Sequence, residues 1–302
     1  MEERSKRTRK ARAVPPQGRE SDVKAPLTVP EVVTAKGQRR LVMVTATDEP
    51  SARWADRGGV DLILVGDSLA MAALGRPDTL SVTMEEMVHH TRAVAAGVTS
   101  SLLVADMPFG SYQTSTANAV HNACRLVAEG RARAVKLEGP RFAEVEAIVA
   151  AGIPVVGHLG LTPQSVHRFG GYRVQGRGVR DARRLIEQAR GLAEAGAFLL
   201  VLEAMPASVG AAITRAVPIP TIGIGAGPAC DGQVLVFADL VGLSDPPLPR
   251  FVRRYAQAGE MIRSAIAAFA EDVRAGRYPK EAECYTAPPG LARALSRRPR
   301  RR

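Results

Sequence analysis

Asp67 with Ser68, Asp106, Lys136 with Glu138, His158 and Glu203 share one kind of address: each stands at the end of an apolar run. A buried strand has no reason to finish on a charge, because an unpaired ion in apolar surroundings costs several kcal/mol or shifts its pKa. Charges on successive strand ends predict the rim of one pocket. That is the layout of a parallel barrel, whose chemistry sits at the C-terminal ends of its strands.

Asp67, Asp106 and Glu138 offer hard oxygen ligands from three separate strands, a set that suits Mg²⁺ with room left for water and substrate. Any one of them taken singly could pair with an arginine on the rim instead. Lys136 and Glu138 flank Leu137, so both side chains leave the strand on one face. A metal beside an ammonium makes a clamp for a 2-oxo acid, although Lys136 could also form a simple ion pair. Between Lys36 and Lys280 the chain has no other lysine, and a compact ammonium differs in kind from the arginines used elsewhere. His158 stands at a strand end, whereas His89, His90, His121 and His167 fall on predicted helices or loops. It is expected to hydrogen-bond substrate. Glu203 follows Phe198-Leu199-Leu200-Val201-Leu202, and a carboxylate with dry neighbours has its pKa raised as a general base requires. Pairing with an arginine is the alternative for Glu203.

The elements that must position these groups are legible as alternating runs. Strands are expected at Leu41–Thr47, Leu62–Asp67, Leu102–Met107, Ala134–Glu138, Pro154–Leu159, Phe198–Ala204 and Thr221–Ile224, with an eighth around Val234–Leu243. They are β-branched or Leu-rich without polar alternation, as for strands covered on both faces. Thr83 and Glu86 form a capping box ahead of a helix over Met87–Val98. Further helices are expected over Ser115–Gly130, Arg141–Gly152, Asp181–Gly196 and Pro206–Val217, and a long amphipathic one over Arg254–Gly276 closes the domain. This alternation predicts an α/β fold, a (β/α)8 TIM barrel. Only Gly225–Gly232 separates the seventh and eighth strands, too short for a crossover helix. Either the eighth strand starts later, or Gln233–Phe237 is helical. Gly223, Gly225 and Gly227 lack the dinucleotide-site spacing and indicate close backbone approach to substrate or a tight turn. The loop Gly170–Arg177 reads as a lid or as a solvated connection.

Size and composition bound the rest. The chain has 302 residues, 46% of them hydrophobic, enough for one barrel. Residues 1–26 hold eight Lys/Arg against four Asp/Glu, and residues 286–302 hold six Arg and no acid. These ends carry nearly all of the net charge of +11, and both read as disordered basic extensions around a catalytic domain at 27–285. Cys124, Cys230 and Cys284 make no CxxC pair, which favours free thiols in a reducing compartment. With no apolar stretch near a membrane span and no apolar segment behind the basic N-terminus, a cytoplasmic location is expected.

Val65-Gly66-Asp67-Ser68-Leu69, Ala105-Asp106-Met107-Pro108-Phe109, Val135-Lys136-Leu137-Glu138-Gly139, Gly157-His158-Leu159-Gly160-Leu161-Thr162-Pro163-Gln164, the Phe169–Arg177 loop and Ile222–Gly227 together resemble the ketopantoate hydroxymethyltransferase family over residues 27–280. The resemblance implies a barrel of the phosphoenolpyruvate/pyruvate type. It also implies transfer of a one-carbon unit from 5,10-methylenetetrahydrofolate to 3-methyl-2-oxobutanoate, giving 2-dehydropantoate for pantothenate and coenzyme A. By it, Asp67 and Asp106 ligate Mg²⁺, with Glu138 as a third ligand directly or through water. Asp67, Ser68, Asp106 and Lys136 contact the oxo acid, His158 hydrogen-bonds it, and Glu203 accepts the C3 proton, after which C3 attacks the folate-borne methylene. A cytoplasmic homodecamer is implied as well. The first strand departs from the family pattern, with Thr47 where tyrosine is common, and the C-terminal stretch Glu281–Tyr285 departs too. A rival of the same barrel type is an Mg²⁺-dependent 2-oxo acid lyase or mutase, but the Lys-Lys-Cys-Gly-His loop of isocitrate-lyase-like members is missing. From a different class, the arginine-rich ends could bind nucleic acid or another acidic surface through phosphate neutralisation.

Overall fold

Eight parallel strands close on themselves in chain order: β1 (Leu41–Thr45), β2 (Leu62–Val65), β3 (Leu102–Asp106), β4 (Ala134–Glu138), β5 (Val155–Gly160), β6 (Leu199–Glu203), β7 (Thr221–Ile224) and β8 (Gly232–Leu235). This computed structural model describes residues 25–295, so most of the two basic ends lies outside the described residues. Within the second end, Leu291–Leu295 is helical. The helices are α1 (Val29–Thr34), α2 (Glu49–Arg57), α3 (Leu69–Ala72), α4 (Met84–Ala95), α5 (Thr116–Ala128), α6 (Phe142–Ala150), α7 (Val166–Phe169), α8 (Val179–Glu194), α9 (Ala207–Ala216), α10 (Phe237–Val241), α11 (Ala258–Arg274) and α12 (Leu291–Leu295). Among the described residues no helix is long and apolar enough to cross a membrane.

Strand geometry sends alternate residues to opposite faces, and the core is split accordingly. Val65, Leu103, Ala105, Val135, Leu137, Val155, Leu200 and Leu202 face the helices. Leu62, Leu64, Leu102, Val104, Ala134, Val156, Leu199 and Val201 fill the barrel interior together with Leu27 and Val32 of the N-terminal segment. The inward series therefore run Leu102–Val104–Asp106, Ala134–Lys136–Glu138, Val156–His158 and Leu199–Val201–Glu203. In these four strands the inward face is apolar at the floor and ionisable at the rim.

The capping box expected at Thr83 and Glu86 opens α4, with Glu86 N–H donating to Thr83 Oγ1 at 3.2 Å. Helices α1 and α2 were not foreseen. The second starts at Asp48, whose side chain accepts from Ser51 N–H at 2.8 Å. At the barrel seam both alternatives fail. Gly232–Leu235 is a strand, not a helix, and it begins before Val234. The register sets Gly232 beside Ile222, so a short return through Gly225–Asp231 suffices and the crossover helix is dispensed with. The second half of the expected strand, Phe237–Val241, is helical. Gly225 and Gly227 take φ of +67° and +90° against Phe251 and Ala207, so the glycine run is a tight turn.

The expected closing helix is present as α11, but it closes nothing in its own barrel. None of its residues is buried. Ile262, Ile266, Phe269 and Val273, at helical spacing, all face solvent. On the barrel wall beside it lies a groove of about 600 Å³ lined by Val44, Trp54, Val60, Phe237, Leu240 and Ile262, among others.

One buried carboxylate ties the wall together. Asp56, at the end of α2, accepts from the backbone N–H groups of Thr99, Ser100 and Ser101 and from the hydroxyls of Thr99 and Ser100. Burial pushes its pKa up, but hydrogen bonds from Thr99, Ser101 and Ser100 outweigh burial and hold it at about 2. With a folded pKa below the unfolded one, this stabilisation is complete above about pH 4 and is lost as pH falls through about 2. Asp56→Ala is therefore expected to cost about 3 kcal/mol near neutral pH. Urea titrations of the two proteins should show the gap narrowing as the pH is lowered below 4.

Candidate active site

Register brings the rim charges into contact. Asp106 pairs across the sheet with Lys136, and Glu138 with His158. Lys136 Nζ lies 3.0 Å from Asp106 Oδ1, with both side chains sealed from solvent. His158 Nδ1 lies 3.4 Å from Glu138 Oε1, and His158 Nε2 lies 3.2 Å from Glu203 Oε2. On the other side of the pocket Asp67 N–H donates to Asp106 Oδ2 at 3.0 Å. Asp67, Asp106, Lys136, Glu138, His158 and Glu203 thus form one connected cluster at the C-terminal end of the barrel. The cationic partners of its carboxylates are Lys136 and His158, not arginines. Lys136 and Glu138 share the inward face, as their spacing required.

Ser68 is half-buried and begins α3. It lines a cavity of about 120 Å³ together with Thr45, Thr47, Asp48, Gly66 and Phe237. Thr47 lies on this wall, its carbonyl accepting from His90 Nδ1 at 2.6 Å. Glu203 is less dry than its strand suggests: its side chain is 16% exposed, because β6 ends where the pocket opens. The Gly170–Arg177 loop reaches over the mouth. Tyr172 OH donates to Met71 Sδ of α3 at 3.7 Å, and Gln175 N–H donates to Ala204 O at 2.9 Å.

The electrostatics show a surplus of negative charge. Four carboxylates, Asp67, Asp106, Glu138 and Glu203, face Lys136 and His158. Burial raises the pKa of Asp67 well above the usual carboxylate range, and the charges of Asp106 and Glu138 add to it. Asp106 is raised chiefly by burial, against the pull of Lys136. Burial opposes the charge on Lys136, but the surrounding carboxylates prevail and raise its pKa. For His158, burial and the Lys136 ammonium oppose protonation; Glu138 and Glu203 outweigh them and raise the pKa to about 9. The 3.3 Å approach of Lys136 Nζ to His158 Nδ1 would be a hydrogen bond only to a neutral ring. A protonated ring would present that nitrogen to Glu138 and the other to Glu203.

Several of these contacts are close but poorly directed. Asp106 Oδ1, Glu138 Oε1 and His158 Nε2 are buried without an aligned hydrogen-bond partner, although each lies near an opposite charge. Unsatisfied oxygens in a site rich in carboxylates fit a divalent cation. Among the described residues no three His, Cys, Asp or Glu groups form a ready cage. Mg²⁺ needs none, since it keeps waters and binds through one or two carboxylates plus substrate.

Two residues without an assigned role prove central. Gln164, after β5, donates from Nε2 to Asp67 Oδ2 at 2.8 Å, and its backbone N–H donates to Glu138 Oε2 at 2.9 Å. Tyr112, buried in the loop after β3, donates to Gln164 Oε1 at 2.6 Å. Gln164 falls within the run that carried the resemblance, but nothing local marks its side chain as part of the pocket.

Gly160 ends β5 with φ +97°, and a Cβ there would strike the carbonyl oxygen of Glu203. That carbonyl also accepts from Leu161 N–H at 2.9 Å. Gly160→Ala is expected to cost at least about 2 kcal/mol through backbone strain and to displace Glu203. Chemical denaturation and the variant's crystal structure check both.

Known proteins resemble this chain in sequence and in fold. The family model for ketopantoate hydroxymethyltransferase matches residues 26–281. A 3-methyl-2-oxobutanoate hydroxymethyltransferase of Syntrophobacter fumaroxidans is 54% identical over 255 residues, covering 84% of this chain and 90% of the relative. One of Moorella thermoacetica is 52% identical over 262 residues, covering 86% and 97%. Among solved structures, 2,3-dimethylmalate lyase, a PEP mutase/isocitrate lyase superfamily member, aligns with a TM-score of 0.54 at 15% identity, covering 90% of this chain and 94% of that one. Phosphonopyruvate hydrolase complexed with oxalate and Mg²⁺ aligns at 0.53 and 16%, covering 86% and 93%. These two show the fold alone, an eight-stranded parallel α/β barrel. With a family model spanning nearly the whole barrel and relatives more than half identical, this chain belongs to the ketopantoate hydroxymethyltransferase family.

Proposed function

We propose that the protein transfers a hydroxymethyl group from 5,10-methylenetetrahydrofolate to 3-methyl-2-oxobutanoate, giving 2-dehydropantoate, with Mg²⁺ bound at Asp67 and Asp106. The observation that carries this reading is the convergence on one rim of Asp67, Asp106, Lys136, Glu138, His158 and Glu203, with carboxylate oxygens left unsatisfied. Family membership supports the reaction. A solved barrel of the same fold, phosphonopyruvate hydrolase, was complexed with oxalate and Mg²⁺, which is consistent with a cation and a small dicarbonyl anion here.

Asp67 and Asp106 would hold the metal, with Glu138 as a third ligand directly or through water. Bound there, Mg²⁺ would supply Lewis acidity to the oxygens of the oxo acid and so acidify its C3–H bond. Lys136, buried and held by Asp106, adds fixed positive charge where the substrate carboxylate must sit. Ser68 and His158 offer hydrogen bonds to the substrate oxygens. Glu203, partly exposed and on the inward face, removes the C3 proton as general base. The C3 carbanion attacks the one-carbon unit carried by the folate. Overall the C3–H bond is replaced by C3–CH2OH, water supplies the hydroxyl oxygen, and tetrahydrofolate leaves. The loop carrying Tyr172 limits the entry of bulk water to the carbanion.

Product formation from the two substrates, with Mg²⁺ and with EDTA, tests the proposal directly. Glu203→Gln is expected to lower kcat by about 10²–10⁴-fold, and EDTA to abolish turnover reversibly. No product from folded wild-type protein overturns the reaction assigned here; exchange of the C3 proton in D2O would then show whether the oxo-acid half is active alone.

We also propose that the protein is a homo-oligomer, which the resemblance implies to be a decamer. The uncovered apolar face of α11 and the apolar groove on the barrel wall support association between copies. Sedimentation should give a mass that is a multiple of 32.1 kDa. Paired Ile266→Asp and Phe269→Asp substitutions should shift it downward. A wild-type monomer at micromolar concentration would contradict the assembly.

A further inference from the structure

We infer that Gln164, braced by Tyr112, is a positioning residue whose side-chain amide holds Asp67 and whose backbone N–H holds Glu138, leaving the other oxygen of each for the cation site. The inference rests on the reading of the site given under Proposed function and assigns a task to residues outside the reacting groups.

Gln164 is 7% exposed and sits in the short turn Pro163–Ser165 that follows β5. Every hydrogen-bonding position of its side chain is used. Nε2 donates to Asp67 Oδ2 at 2.8 Å and to Met107 O at 3.0 Å. Oε1 accepts from Tyr112 OH at 2.6 Å and from Gln113 Nε2 at 3.2 Å. A primary amide has two donors and two acceptor lone pairs, so this one is saturated. Its backbone N–H adds the bond to Glu138 Oε2 at 2.9 Å. One residue thereby ties the ends of β2, β3 and β4 to the turn after β5.

Tyr112 braces the amide on its oxygen side. Its hydroxyl oxygen accepts from Glu138 N–H at 3.1 Å, leaving its single hydrogen for Gln164 Oε1. Reversing the amide would set Oε1 against Asp67 Oδ2 and the Met107 carbonyl, two acceptors facing an acceptor. Those two acceptors thus exclude the flipped rotamer, and the Tyr112 hydroxyl completes the arrangement by donating to Oε1.

The consequence is geometric. Asp67 and Glu138 each have one oxygen engaged by Gln164, which stops the carboxylates from swinging apart under mutual repulsion. Glu138 Oε1 is one of the buried oxygens left without an aligned partner. Supporting hydrogen bonds of this kind to a metal-binding carboxylate are commonly worth 10–100-fold in metal affinity.

The test is Mn²⁺ binding to full-length protein, followed by electron paramagnetic resonance, with Mg²⁺ displacing the probe. Gln164→Leu is expected to weaken binding about 10–100-fold, and Tyr112→Phe, which removes one oxygen and keeps the ring packed, to weaken it less. The Mg²⁺ concentration for half-maximal activity should rise in parallel, while kcat at saturating Mg²⁺ falls less than the affinity does. A residue that only supports folding would lower thermal stability without moving the Mn²⁺ dissociation constant. Wild-type affinity in both variants would overturn the inference and leave the active-site reading intact. If wild-type protein binds neither cation, the reading of the site itself falls and the inference with it.

Discussion

Three buried carboxylates and a fourth at the pocket mouth, gathered around Lys136 and His158, constrain everything else in this barrel. Removing a carboxylate from water is tolerated only where charges and dipoles replace the lost solvation. Lys136 and His158 do part of this, the amide of Gln164 and the backbone of Asp67 do another part, and an excess of negative charge remains. A divalent cation bound as proposed would offset that excess.

Holding such a cluster requires rigid strand ends in fixed register, which the closed sheet supplies. Period-two alternation sends Leu102 and Val104 into the floor and Asp106 into the rim of the same inward face, and the neighbouring strands repeat the arrangement. A slip of one residue between β3 and β4 would part Asp106 from Lys136 and turn Leu137 inward. Apolar packing below the rim therefore carries part of the site's precision. The turn after β5 adds the cross-connection, reaching back to three earlier strands through Gln164.

The outer layer is less complete than the inner one. Strands β7 and β8 are joined without a crossover helix, α10 is short, and α11 presents its apolar side to solvent. A barrel wall that leaves a groove of about 600 Å³ between Trp54, Leu240 and Ile262 leaves apolar surface for another protein surface to cover. Catalytic rim and uncovered wall thus place different demands on one sheet.

Much of this was legible in the chain itself. The strand ends at Asp106, Glu138 and Glu203, the paired spacing of Lys136 and Glu138, and the solitary rim histidine follow from local pattern, because a strand's period and the cost of burying charge are properties of short segments. The resemblance of six motifs to one family extended that reading to a reaction. Tertiary structure alone decided the rest. Gln164 and Tyr112 look ordinary in sequence, since their partners are contributed by other strands. Glu203 looked dry from its leucines, yet the pocket opens beside it. The seam between β7 and β8 depended on a register that no single segment contains, and α11 carries the amphipathic pattern of a packed helix without the barrel contact to match. Short-range spacing determines which groups can react; closure of the sheet determines which of them meet, and how much water reaches them.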